Sequence, residues 1–208
     1  MNGILRLAAC LALTMSTAAL AEGDAEAGKA KAVTCAACHG MDGNSTVAMW
    51  PKIAGQHGDY LKRHITLIRD GDRPVPEMQA LVASLSDQDI ADLAAFYASQ
   101  TTSPGAADEN LAAAGERIYR AGNAESGVPA CMACHGPAGD GNPLAGYPAL
   151  AGQHATYTAK MLNQYRDGVS WGEGDVNSTV MSGVAAQLSD AEIEAVASYI
   201  QGLYQAGQ

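Results

Sequence analysis

Two stretches of the chain place apolar residues at the spacing of a helix that buries one face. Ile90, Leu93, Ala94 and Tyr97 form one stripe, and Ile193, Val196, Ala197 and Ile200 the other, each at i, i+3, i+4 and i+7. Ahead of each stripe stands a helix-start signature, Ser86-Asp87-Gln88-Asp89 and Ser189-Asp190-Ala191-Glu192, a serine N-cap followed three residues on by an acid. Helical segments are also expected over Ala25 to Ala32 and Asn110 to Ala121.

The apolar run from Leu7 to Leu20 has no polar face. It follows one positive charge at Arg6 and ends in Ala19-Leu20-Ala21 before Glu22, the pattern of a secretory signal covering residues 1–21 and cleaved from the mature chain. Cys10 superficially suggests a lipoprotein site, but such a site follows its apolar run, and here most of the run comes after the cysteine. No later stretch approaches the roughly 18–20 apolar residues of a membrane helix. The mature protein is therefore expected to be soluble and periplasmic, with no transmembrane segment and only peripheral contact with a membrane.

The two amphipathic stripes belong to two copies of one unit. Ala54-Gly55-Gln56-His57 recurs as Ala151-Gly152-Gln153-His154, Arg69-Asp70-Gly71 as Arg166-Asp167-Gly168, and Leu85-Ser86-Asp87 as Leu188-Ser189-Asp190. Trp50-Pro51 falls opposite Tyr147-Pro148, and the order of the matches is kept while small insertions widen the offset. Thr101 to Asp108 has the composition of an exposed linker. It separates an N-terminal domain, 22–102, from a C-terminal domain, 103–208.

The formal net charge is −10, and loss of Arg6 with the signal brings the mature chain near −11. Such a surface repels nucleic acid and anionic lipid and suits partners with a basic docking patch, while also serving solubility. One Phe and two Trp in 208 residues leave thin cores for domains of this size. A buried cofactor would supply the missing apolar mass.

The cofactor is named by the repeat's centre: Cys35-Ala36-Ala37-Cys38-His39 and Cys131-Met132-Ala133-Cys134-His135. C-x-x-C-H is the attachment signature of c-type haem, each thiol adding to a vinyl group and the histidine ligating iron from one face. A disulfide redox motif or half a zinc site would explain one C-x-x-C, but not two copies each followed by His. Two covalently bound haem c groups are expected.

The second axial ligand decides between carrier and catalyst, and the repeat provides an internal test. Met1 and Met15 leave with the signal, and Met41, Met49, Met132 and Met161 fall opposite Pro137, Gly146, Ala36 and His64. Met78 and Met181 fall opposite each other, each seven residues before its Leu-Ser-Asp, on what reads as irregular chain. His39 with Met78 and His135 with Met181 are thus the expected iron ligands. Met ligation raises the reduction potential and occupies the position where oxygen or peroxide would bind. His57 and His154 compete, but Ala-Gly-Gln-His reads as an exposed turn, and His64 reads as a helix surface position. Pro51 and Pro148, 12 and 13 residues after their haem histidines, are placed to offer a carbonyl to the ring N–H, and read equally as turn prolines. Tyr60 with Tyr157, and Arg69 with Arg166, are candidates for haem propionate contacts, equally readable as packing and surface residues.

With both C-x-x-C-H motifs, the Ala-Gly-Gln repeats, the paired methionines and the Leu-Ser-Asp helices in place, the chain resembles the dihaem cytochrome c4 family over its whole mature length. The resemblance implies an all-α fold of two tandem class I cytochrome c domains related by an approximate two-fold axis. It also implies packing of Gly28 on Phe96 or Tyr97, and of Gly115 on Tyr199. The second half departs from the first by extra residues before Cys131 and by the longer segment Val169 to Val180, both expected to reshape exposure of the second haem. The expected function is electron transfer, not catalysis, from an upstream donor to a membrane-bound terminal oxidase or reductase of the respiratory chain. The alternatives are an electron-transfer subunit of a flavin- or quinone-cofactor dehydrogenase, and, ranked lower, a dihaem peroxidase.

Overall fold

In the computed structural model, which describes residues 23–204, each half winds the same helical frame. The first half contains α1 (Ala25–Lys31), α2 (Ala36–His39), α3 (Gly58–Asp70), α4 (Pro76–Val82) and α5 (Asp87–Ala98). The second contains α6 (Glu109–Ala121), α7 (Met132–His135), α8 (Ala155–Arg166), α9 (Val176–Ala185) and α10 (Asp190–Gly202). Among the described residues there is no strand, only isolated bridges at Asn123–Val128 and Asn142–Tyr147. The signal segment, with Cys10, lies outside the described residues.

Both terminal helices start where the serines predict. Ser86 accepts from the Asp89 N–H and Ser189 from the Glu192 N–H, and each acid accepts from its serine's own N–H, so both capping boxes close. All eight stripe residues are buried. In the first half α1 and α3 pack on α5, and α4 on α3. In the second, α6 and α8 pack on α10, and α9 on α8, so the packing order repeats.

The crossing of first and last helices depends on one glycine in each half. A Cβ on Gly28 would sit 2.0 Å from the Asp92 carbonyl oxygen and 2.9 Å from Phe96 Cβ; on Gly115, 2.2 Å from the Ala195 carbonyl oxygen and 2.6 Å from Tyr199 Cβ. Backbone therefore lies against backbone, and Phe96 rather than Tyr97 is the first half's contact. Buried Asp92 adds a polar tie between α1 and α5, accepting from the Asp24 N–H and pairing with Lys31. The Lys31 ammonium, helped by Asp24 N–H and Gln88, holds that carboxyl down to about 2.

The segment 101–108 is exposed and without helix, yet it is no loose tether. Thr101 and Ser103 bond Asn44, Thr102 bonds the Ala54 carbonyl, the Asp108 N–H donates to Ser198, and Gln201 donates to the Ala106 carbonyl. Apolar side chains form two separate cores, one centred on Leu93, Phe96 and Tyr97, the other on Tyr119, Ile193 and Val196.

Gly115→Ala is expected to lower stability by about 1–3 kcal/mol through forced separation of α6 from α10. Gly183→Ala, in α9 with nothing within 4 Å of the added Cβ, is expected to raise it by roughly 0.5–1 kcal/mol. Denaturant unfolding of the holoprotein reads both, and a Gly115→Ala protein as stable as the parent would contradict the close crossing.

Candidate haem-binding sites

Each C-x-x-C-H is a single helical turn. Cys35 caps α2 and Cys131 caps α7, so the cysteines stand three residues apart on one face and the histidine is the last helical residue. Gly40 (φ 80°) and Gly136 (φ 78°) then stop the turn in a conformation that side chains rarely adopt. The chain loops back until Ile53 N–H reaches the Gly43 carbonyl at 2.8 Å and Leu150 N–H the Gly139 carbonyl at 2.7 Å.

That return brings the prolines to the histidines, the first of the two roles their spacing allows. His39 Nδ1 lies 2.9 Å from the Pro51 carbonyl oxygen and His135 Nδ1 3.0 Å from that of Pro148. A carbonyl only accepts, so each Nδ1 carries the proton and Nε2 is the nitrogen available to a metal. Both rings are buried. Burial pushes both below the ordinary histidine range, favouring the neutral form a metal ligand requires.

The methionines stand on helices, not on irregular chain. Pro76 at the first position of α4 starts the turn that carries Met78, and Asp175 caps α9, which carries Met181, by accepting from the Ser178 N–H. Short helices started by a proline or a lone cap have little apolar periodicity to announce them.

All eight residues, Cys35, Cys38, His39, Met78, Cys131, Cys134, His135 and Met181, line one cavity of about 860 Å³ between the two cores. This donor set fits two tethered haems. A thiol redox site fits poorly, because such sites lower the thiol pKa, whereas burial raises Cys35 and pushes Cys131 up to about 11. No cluster of three or more His, Cys, Asp or Glu side chains suited to a zinc ion occurs among the described residues.

Where the halves meet, the polar residues differ from expectation. His64 is buried, not on the surface, at 6% exposure, because Arg73 folds back to donate to its Nδ1 at 3.0 Å. Burial, with Arg73 and Arg63 alongside, pushes its imidazole down to about 3. Arg73 also reaches Tyr157 Oη at 3.2 Å and lies 4.6 Å from the ring centre of Trp171. Among the described residues no carboxylate pairs with it. A cation so placed on the cavity wall fits a haem propionate.

Tyr60 and Tyr157 line the cavity, but Arg69 and Arg166 turn away to pair with Asp87 and Asp190 at the starts of α5 and α10. His57 and His154 are half-buried rather than exposed, and His154 Nε2 donates to the Ser45 carbonyl of the other half at 2.8 Å. The insertion before Met181 puts Trp171, 4% exposed, against the first half, so it builds the interface as well as the second site. Asp175, which caps α9, also pairs with Arg63 of the first half at 2.7 Å. Arg73 and Trp171 escape sequence reasoning because neither has a counterpart in the other copy; position in an insertion was the one signal, for Trp171.

Against known proteins, the family model described as cytochrome c matches twice, over residues 25–101 and 112–204. Cytochrome c4 of Pseudomonas aeruginosa is 50% identical over 96% of this chain and 99% of its own. The thiosulfate dehydrogenase electron acceptor of Stutzerimonas stutzeri is 36% identical over 84% of this chain and 81% of its own. The crystal structure of reduced recombinant cytochrome c4 from Pseudomonas stutzeri superposes with TM-score 0.83 at 49% identity, covering 88% of this chain and all of that one.

Asp175→Ala is expected to cost about 2 kcal/mol by removing the α9 cap and the partner of Arg63, while Asp175→Asn keeps the cap and costs less. Thermal unfolding ranks the two, and equal losses would contradict the capping role.

Proposed function

The chain belongs to the cytochrome c family, among the dihaem cytochromes c4, and carries two covalently bound haem c groups for electron transfer, not for enzymatic catalysis; from that premise we propose a periplasmic carrier that takes electrons from an upstream donor and delivers them to a membrane-bound terminal oxidase or reductase of the respiratory chain. One observation carries the reading: two equivalent Cys, Cys, His and Met sets face the same cavity from two copies of one frame. Among the described residues, no helix is long and apolar enough to cross a membrane.

In this reading Cys35 and Cys38 hold the first haem through thioethers, with His39 and Met78 on its iron. Cys131 and Cys134 hold the second, with His135 and Met181. Bound haem supplies a reversible one-electron iron couple. The protein would fix its surroundings: the prolyl carbonyls orient the histidines, the Met78 and Met181 sulfurs would keep oxygen and peroxide off the irons, and Arg73 would balance propionate charge. A methionine in each set, able to close its iron to peroxide, favours this reading over a peroxidase. Residues 1–21 direct export, and 22–102 and 103–208 are the two haem domains.

A second reading, acceptor to a dehydrogenase, draws support from the relatives named thiosulfate dehydrogenase electron acceptor, 36% and 34% identical to this chain. Mixing reduced holoprotein with vesicles that carry a terminal oxidase separates the two. Rapid oxidation that slows as salt screens the acidic surface is expected. No oxidation at any ionic strength, with rapid reduction by a dehydrogenase, would favour the second reading.

Met78→Ala and Met181→Ala are each expected to abolish the sulfur-to-iron charge-transfer absorption of one haem and lower its potential, leaving the other haem intact. Unchanged oxidised spectra in both variants would refute the ligation. Arg73→Met is expected to lower the potentials on the order of tens of millivolts, since loss of a nearby cation favours ferric iron. A rise in a spectroelectrochemical titration would contradict that placement.

A further inference from the structure

The repeated Ala-Gly-Gln-His turns serve the opposite half of the molecule. Gln153 Oε1 accepts from the Lys52 N–H at 2.9 Å while its Nε2 donates to the Lys52 carbonyl at 2.8 Å. Gln56 does the same to Ala149, accepting from its N–H at 3.0 Å and donating to its carbonyl at 2.9 Å. A neutral amide is the side chain that matches a residue's N–H and C=O together. Each Oε1 also accepts from the next residue's N–H, His57 or His154, at 3.0 Å, which fixes which end of the amide faces which group.

Lys52 and Ala149 directly follow the prolines that hold the haem histidines. The peptide unit whose carbonyl, at Pro51, accepts from His39 Nδ1 is the same unit whose N–H, at Lys52, donates to Gln153. The unit joining Pro148 to Ala149 is likewise held between His135 and Gln56. A peptide hydrogen-bonded at its N–H is polarised, and its carbonyl becomes a stronger acceptor. A stronger acceptor at Nδ1 makes imidazole a better donor to a metal at Nε2.

We infer that Gln56 and Gln153 are crossed positioning residues: Gln153 tunes the iron bound by His39, and Gln56 the iron bound by His135, each through one peptide unit of the other half. The inference rests on the two histidines being iron ligands. Better imidazole donation stabilises ferric iron, so each glutamine lowers the potential of the haem in the domain to which it does not belong. The arrangement also makes each potential sensitive to separation of the halves.

The test uses Gln153→Met and Gln153→Glu in the holoprotein, with haem potentials assigned by NMR through the hyperfine-shifted ring protons of His39 and His135. Gln153→Met is expected to raise the potential of the first haem by a few-fold change in its reduction equilibrium. It should also move the His39 Nδ1–H resonance upfield and leave the second haem unchanged. Gln153→Glu keeps an acceptor for the Lys52 N–H, so it should hold that resonance downfield and the potential at or below the parent's. Gln56→Met should reproduce the effect on the second haem alone. Shifts confined to the substituted domain, equal shifts of both haems, or the same sign in the Met and Glu variants would overturn the inference. Absence of hyperfine-shifted histidine signals in the parent protein would instead refute the ligation on which it rests.

Discussion

Four hydrogen bonds between two glutamine amides and two backbone residues set the relation of the halves. They join residues 52–56 of one copy to 149–153 of the other, and the pairing is reciprocal, as a two-fold relation requires. Because the bonded residues adjoin the prolines that hold His39 and His135, the interface and the two buried imidazoles belong to one network. Interface geometry and ligand geometry cannot vary independently. Further contacts brace this ring: Arg73 over Trp171, Arg63 on Asp175 and His154 on Ser45 all join the first half to the second.

What was legible in the sequence was local or repeated. The buried stripes of α5 and α10 and their serine caps follow from helical periodicity and a three-residue capping rule, and both copies obey them. The cysteines and histidines declared themselves by spacing, and the prolyl carbonyls by the distance at which a loop returns. Comparison of the copies singles out the methionines, but not the helices that carry them. α4 is seven residues long and starts at Pro76, while α9 depends on a side-chain cap from Asp175, and neither leaves a long apolar period. His64 reads as a surface residue because its partner, Arg73, lies beyond the end of α3 and its packing neighbour, Trp171, more than a hundred residues on. Gln56 and Gln153 read as turn residues because a polar residue's partner in another domain leaves no trace in its own neighbourhood.

Together these parts suit a device for moving single electrons. Two separate apolar cores flank a shared cavity, and the helices crossing at Gly28 and Gly115 hold that enclosure by close backbone contact. Rigidity of this kind suits electron transfer, where ligands that stay put between oxidation states keep reorganisation small. The excess of acidic side chains gives the outer surface a sign that a basic partner can find.

Anomalous diffraction at the iron edge from crystals of the mature holoprotein would locate each metal and the residues that hold it. Two iron peaks per chain are expected, one between His39 Nε2 and Met78 Sδ and one between His135 Nε2 and Met181 Sδ. A single peak, or an iron without its methionine in the sixth position, would contradict that arrangement.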